Sequence, residues 1–205
     1  MSDKKIVFIL DPGHGKGTPG KRSPEIPPGF YEWKFVREIV YLIKEAAEKS
    51  DDKKWIVESI VDYQFNKDLS LKLIHRCDIA NGIATNSKEQ CYFVSIHTNA
   101  AGNKGWYDVN GTTAFTCKNA SEKSEKLASV LTKNISEITG LKNRGTKNKN
   151  FYVLKHTTCP AVLIEVLFHT SKYDCEIAMN EKDKIIDAFV KTFDEISESE
   201  SKNAE

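Results

Sequence analysis

The sequence has almost no excess of charge. Its 30 Lys+Arg stand against 29 Asp+Glu, a formal net charge of +1, which excludes the broad basic field that drives nucleic-acid binding. No nucleic-acid partner is expected. Long apolar stretches are also missing, none approaching the length of a bilayer span, so no membrane insertion is expected either. The N-terminus offers two lysines and then five apolar residues before Asp11, too few for the apolar region of a secretory signal. The expectation is a chain made in the cytoplasm without an export signal of its own. Cysteine is present but unpatterned: Cys77, Cys91, Cys117, Cys159 and Cys175 form an odd set without C-x-x-C spacing. That argues against a disulfide framework and against a thiolate metal cluster, and predicts reduced thiols.

What remains is a chain of 205 residues, enough for one domain with a sizeable core and cramped for two. Residues 6–10 are wholly apolar and end in Asp-Pro-Gly, the pattern of a buried strand feeding a loop. The loop over 11–30 holds five glycines and five prolines. Loops of this length in compact domains are usually functional. From Glu32 onward, Val36, Ile39, Val40, Ile43 and Ala47 recur at helical spacing. A strand is predicted over 55–61, and a second helix where Leu71, Ile74, Cys77, Ala80 and Ile83 repeat. Strands follow over 91–96, 112–117, 151–154 and 161–168, with a helix over 121–139 between them and a closing helix over 176–196. The polar residues 197–205 predict a frayed tail. The alternation predicts a single α/β domain over 1–196, with a largely parallel twisted sheet of about six strands flanked by helices. In such sheets ligands bind beyond the carboxyl ends of the strands, where His14 and His97 fall.

Catalytic zinc takes about three nitrogen or oxygen ligands from the protein and keeps one position for water. His14, His97 and Glu32, the last opening a helix, could supply that set. Each also has a plainer reading, a hydrogen-bonded loop histidine or a glutamate favoured by the helix dipole. Glu165 stands in the run Ala161-Val-Leu-Ile-Glu-Val-Leu-Phe168, where it shares a face with Leu163 and Leu167 while the opposite face is equally apolar. A carboxylate there costs several kcal/mol unless a cation, a metal or a donor meets it. A structural salt bridge is the alternative to a catalytic role. His75 and His156 read as structural or exposed.

Five segments in order resemble the type-3 zinc N-acetylmuramoyl-L-alanine amidases. They are Asp11-Pro12-Gly13-His14-Gly15, Tyr31-Glu32 with Arg37-Glu38-Ile39, Leu73-x-x-Arg76-x-x-x-Ala80-Asn81, Ser95-Ile-His-Thr-Asn-Ala100, and Pro160-Ala-Val-Leu-Ile-Glu165 with Phe168. The loop Thr18-Pro-Gly-Lys-Arg-Ser-Pro24 is similar to a subgroup found in bacteria and in phage lysins. The match spans roughly residues 6–190 and is more specific than any single motif. It departs at Leu167 and at His169-Thr170-Ser171, where the family often has glycine and then asparagine, and His169 is a candidate for a supporting or substrate-facing role.

The resemblance implies one Zn2+ per chain held by His14, Glu32 and His97, with Glu165 as the catalytic carboxylate. It implies hydrolysis of the amide between the muramic acid lactyl group and L-alanine, by zinc-activated water with Glu165 as base and then acid. Peptidoglycan is then the partner, reached after release or secretion. A zinc peptidase acting within the stem peptide and an inactive wall-binding module are the alternatives. A cysteine nucleophile has no activating partner visible in the sequence.

Overall fold

Seven consecutive buried residues form β1 (Ile6–Pro12), as a strand covered on both faces requires. In the computed structural model, residues 5–24, 30–49, 53–103 and 105–202 are described. After β1 the chain forms α1 (Glu32–Glu48), β2 (Trp55–Ser59), α2 (Leu73–Asn86), β3 (Cys91–Asn99), β4 (Thr112–Thr116), α3 (Glu122–Thr139), β5 (Asn143–Asn148), α4 (Tyr152–His156), β6 (Ala161–Phe168), α5 (Lys172–Asn180) and α6 (Lys182–Lys202). The six strands make one sheet in the order β2-β1-β3-β6-β4-β5. Pairing is parallel except between β4 and β6. This is the α/β architecture with a largely parallel sheet that the alternating pattern predicts.

Strand alternation splits the core into two layers. Phe8, Leu10, Val94, Ile96, Val162 and Ile164 point to one side, where α1, α3 and α6 bring Val36, Ile39, Leu131, Phe189 and Phe193. Phe8 and Phe193 stack with centroids 3.8 Å apart. On the other side Val7, Ile9, Phe93 and Leu163 meet Cys77 and Ala80 of α2 and Val153 and Leu154 of α4. Helix α3 begins with Ser121 accepting from the Ser124 amide and ends at Gly140, whose φ of 76° is the left-handed conformation glycine adopts without steric cost.

The structure departs from the sequence reading in several places. The strand expected over 55–61 ends at Ser59, and Ile60–Tyr63 form a short 3-10 helix. Residues 151–154, expected as a strand, belong to the short helix α4, because four apolar residues fit one helical turn as well as a strand. β5 was not expected: apart from Gly145 its residues are polar, and almost all are exposed, so this edge strand has no apolar signature. The closing helix is two helices, broken at Glu181, with helical periodicity persisting across the break. The tail is not frayed through 202. Helix α6 continues to Lys202, Ser197 is buried, and Glu200 accepts from the Tyr92 hydroxyl at 2.8 Å. Tertiary contacts thus hold a segment whose composition is polar. Residues 203–205 lie outside the described residues.

Because β1, β3 and β6 are mutually parallel, their carboxyl ends open at one end of the sheet. His14 follows β1 there. His97 lies inside β3 rather than just past it, beside Glu165 of β6 in register, and the register shifts between His97 and Asn99. Such irregularities re-aim side chains at strand ends.

Candidate metal centre

His14 is the one described non-glycine residue with positive φ, at 61°, a conformation that costs of order 1–3 kcal/mol and persists where neighbours fix it. Arg76 and Arg37 do so. Arg76 of α2 donates to the carbonyls of Pro12 at 2.9 Å and His14 at 3.1 Å, and it forms a buried ion pair with Asp11. The second oxygen of Asp11 accepts from the Ser95 hydroxyl at 2.7 Å. Arg37 of α1 donates to the His14 carbonyl at 3.1 Å and also to the carbonyls of Lys67 and Leu69. Two guanidinium groups therefore pin the backbone that carries the imidazole.

Glu32 opens α1 and is fully buried, near a helix N-terminus that favours negative charge. Its Oε1 accepts from the Thr98 amide at 3.0 Å and lies 3.1 Å from Nδ1 of His97 and 3.5 Å from Nε2 of His14. Oε2 is buried without a hydrogen-bond partner. The rings of His14 and His97 stand nearly perpendicular, centroids 4.9 Å apart. One ligand atom from each of His14, Glu32 and His97 lies within 4.8 Å of the others, the group among the described residues that could hold a metal ion. Two imidazole nitrogens, one carboxylate and an orphaned carboxylate oxygen suit a divalent cation with nitrogen and oxygen preference.

Electrostatics in the cluster reflect burial against mutual attraction. Burial brings the His14 imidazole down to about 4 despite the Glu32 charge. For Glu32 burial would act upward, but the His97 hydrogen bond and the charges of His97 and His14 outweigh it and bring the carboxyl to about 2. For His97 burial would act downward, but Glu32 reverses it and the net movement is upward.

Glu165 stands apart from this triplet. No Lys or Arg forms a salt bridge with it among the described residues, and its Oε2 is buried without a partner. Burial raises its carboxyl to about 7. The structural ion pair considered for it is therefore absent from the described residues. His169, just past β6, is buried; its Nδ1 lies 2.9 Å from Thr98 Oγ1 and 4.0 Å from Glu32 Oε2. His75 and His156 are exposed. All five cysteines are free, and burial pushes the Cys159 and Cys175 thiols up to about 12, far from the thiolate a nucleophile needs.

Sequence reasoning did not single out Asp11, Ser95, Arg76 and Arg37 as supports of His14. Asp11 carried a usable signal, a carboxylate closing a wholly apolar strand, the same argument that pointed to Glu165. Its partner sits 65 residues away in sequence, which a single chain read alone does not reveal.

A family model described as N-acetylmuramoyl-L-alanine amidase matches residues 8–193. The endolysin of Bacillus phage SPP1 is 31% identical over 183 residues, covering 89% of this chain and 60% of the endolysin. The chain thus spans only part of that relative's length. Among solved structures, an N-acetylmuramoyl-L-alanine amidase from Clostridium difficile 630 superposes with a TM-score of 0.75 at 27% identity, covering 93% of this chain and 95% of its own. The catalytic domain of CwlV, an N-acetylmuramoyl-L-alanine amidase from Bacillus (Paenibacillus) polymyxa var. colistinus, gives a TM-score of 0.71 at 26% identity, covering 98% and 99%.

Proposed function

The chain belongs to the N-acetylmuramoyl-L-alanine amidase family, and from that premise we propose that it cleaves the amide between the lactyl group of muramic acid and L-alanine in peptidoglycan. The observation that carries this reading is the convergence of His14, Glu32 and His97 at the open end of the sheet, with Glu165 on the neighbouring strand beside His97. We assign the first three as zinc ligands and Glu165 as the catalytic residue. A zinc ion held there would supply Lewis-acid chemistry at the carbonyl and lower the pKa of water.

The protein's own groups divide the remaining work. Arg76 and Arg37 fix the His14 loop, so the imidazole is oriented before substrate arrives. Glu165, buried and near 7, is suited to exchange protons around neutral pH. It takes the proton of the attacking water and returns it to the nitrogen of L-alanine as the amide breaks. One carboxyl acts first as base and then as acid.

No helix among the described residues is long and apolar enough to cross a membrane. We read the chain as acting on the wall after release or secretion. Digestion of purified peptidoglycan, labelling of the new amines and identification of the labelled residue test the proposal. L-alanine is expected, without new reducing sugar ends. Label on diaminopimelate or lysine would make the protein a stem-peptide peptidase, and no new amine at all, with zinc bound, would leave a wall-binding module.

A further inference from the structure

Beside the candidate centre runs a groove of about 670 Å³. Lys16, Lys21, Arg22 and Lys34 line it together with Tyr31 and Trp33, and no acidic side chain among the described residues does. None of the four cations enters a salt bridge among the described residues, although Lys44, Lys53, Lys67, Lys123, Lys182, Lys184 and Lys191 each have a carboxylate partner. In a chain with formal net charge +1, this is a local concentration of positive charge without a carboxylate partner among the described residues. The Arg37 guanidinium lies 5.6 Å from the Trp33 ring centroid.

The groove is joined to the site through the backbone. Tyr31 immediately precedes Glu32, Arg22 and Tyr31 form an antiparallel bridge, and the Glu32 amide donates to the Lys21 carbonyl at 3.0 Å.

We propose that this groove is a substrate subsite that recognises a carboxylate of the stem peptide on the leaving side of the scissile bond. The inference rests on the amidase reading above and adds to it a preference for charge. The bond to be cut is the first of the stem, so the next residues of the stem lie within at most ~3.6 Å each of the site, and the groove adjoins that site through Tyr31 and Glu32. The glycan side is built of uncharged sugars and gives four cations nothing to pair with. The stem's second residue, a γ-linked glutamate, carries a free α-carboxylate unless it is amidated. Carboxylate and guanidinium or ammonium are complementary, while Trp33 and Tyr31 offer faces to the aliphatic parts of the peptide.

Two soluble ligands isolate the charge: N-acetylmuramoyl-L-alanyl-D-glutamate with its γ-carboxyl blocked as the methylamide, and the α-carboxamide of the same compound. Calorimetry on zinc-loaded Glu165→Gln protein measures binding without turnover, and wild-type protein gives KM and kcat. The free acid should bind about 5-fold or more tightly at low salt, the scale of one exposed charge pair, and the advantage should fade as salt is raised. In Lys34→Gln/Arg22→Gln protein the two ligands should bind within about 2-fold of each other, with zinc content unchanged, since neither side chain belongs to the His14–Glu32–His97 group. Equal binding of acid and amide to protein that cleaves both would overturn the subsite and leave the amidase reading intact. A carboxylate preference in binding without cleavage of either ligand would do the reverse. Displacement of the acid by a glycerol phosphate oligomer that binds more tightly would reassign the groove to a wall phosphate polymer and overturn the proposal.

Discussion

The imidazole of His97 occupies the space that a β-carbon on Gly13 would need: a carbon built there falls 2.4 to 2.8 Å from three atoms of the ring. Residue 13 therefore has to be glycine for His97 to lie where it meets Glu32, and the reason is space, since Gly13 does not have positive φ. Gly13→Ala should tilt the ring and weaken metal binding by about 10- to 100-fold, the scale seen when ligand-orienting groups are changed. Gly82 of α2 is the control, with nothing within 4 Å of its added carbon. Gly82→Ala should raise stability by roughly 0.5–1 kcal/mol through helix propensity. Metal titration and thermal melts of both variants test the pair, and unchanged affinity in Gly13→Ala would remove the spatial argument.

Alanine in place of His14, Glu32 or His97 should each lower bound zinc well below one per chain. His75→Ala and His156→Ala should not, because both side chains are exposed and outside the cluster. Elemental analysis after gel filtration decides. Loss of zinc from His75→Ala equal to that from His14→Ala would mean that the ligand assignment is wrong.

Glu165→Gln retains shape and removes the proton acceptor, so folded, zinc-loaded protein should be slower by about 10²-fold or more. The carboxyl also gives a pH signature in metal-free protein. Burial lifts it from 4.5 to about 7, so the folded chain holds the proton more tightly than the unfolded chain. Its contribution to stability is then full below 4.5 and is lost as pH rises through about 7. Denaturant melts across that range should show this loss in wild type and not in Glu165→Gln. A bound cation favours the carboxylate, so zinc should move the titration, followed by isotope-edited infrared, to lower pH.

The Arg76–Asp11 ion pair is buried, and removing one partner strands the other. Arg76→Met should cost about 3–5 kcal/mol of stability, the range for breaking such a pair, and should also weaken zinc binding because the carbonyls of Pro12 and His14 lose their donor. A double variant with Asp11→Leu should recover part of the stability and none of the metal affinity. Recovery of both would show that the pair acts on the centre through folding alone.

Most elements were legible because buried strands and amphipathic helices carry their periodicity in the chain itself. Residues 6–10, 91–96 and 161–168 are apolar runs, and the α1 and α3 stripes repeat at helical steps. β5 was not legible, since a polar edge strand such as Asn143–Asn148 has no apolar face to display. Neither was the helical state of Tyr152–His156, where four residues fit either period. The tail misled because Glu200 is held by partners distant in sequence, Tyr92 and Lys123.

The sequence alone determined the kinds of residue available for chemistry: imidazoles after or within apolar strands, a glutamate opening a helix, and a carboxylate in a strand apolar on both faces. Tertiary structure decided which of them meet. Parallel pairing of β1, β3 and β6 brings their carboxyl ends to one end of the sheet, so His14, His97 and Glu165 share a place that no spacing along the chain specifies. The start of α1 brings Glu32 into the same cluster. The Asp11–Arg76 pair and the cationic groove beside Glu32 arise in the same way. Burial and proximity are properties of packed surfaces, and those exist only once the strands have found their order.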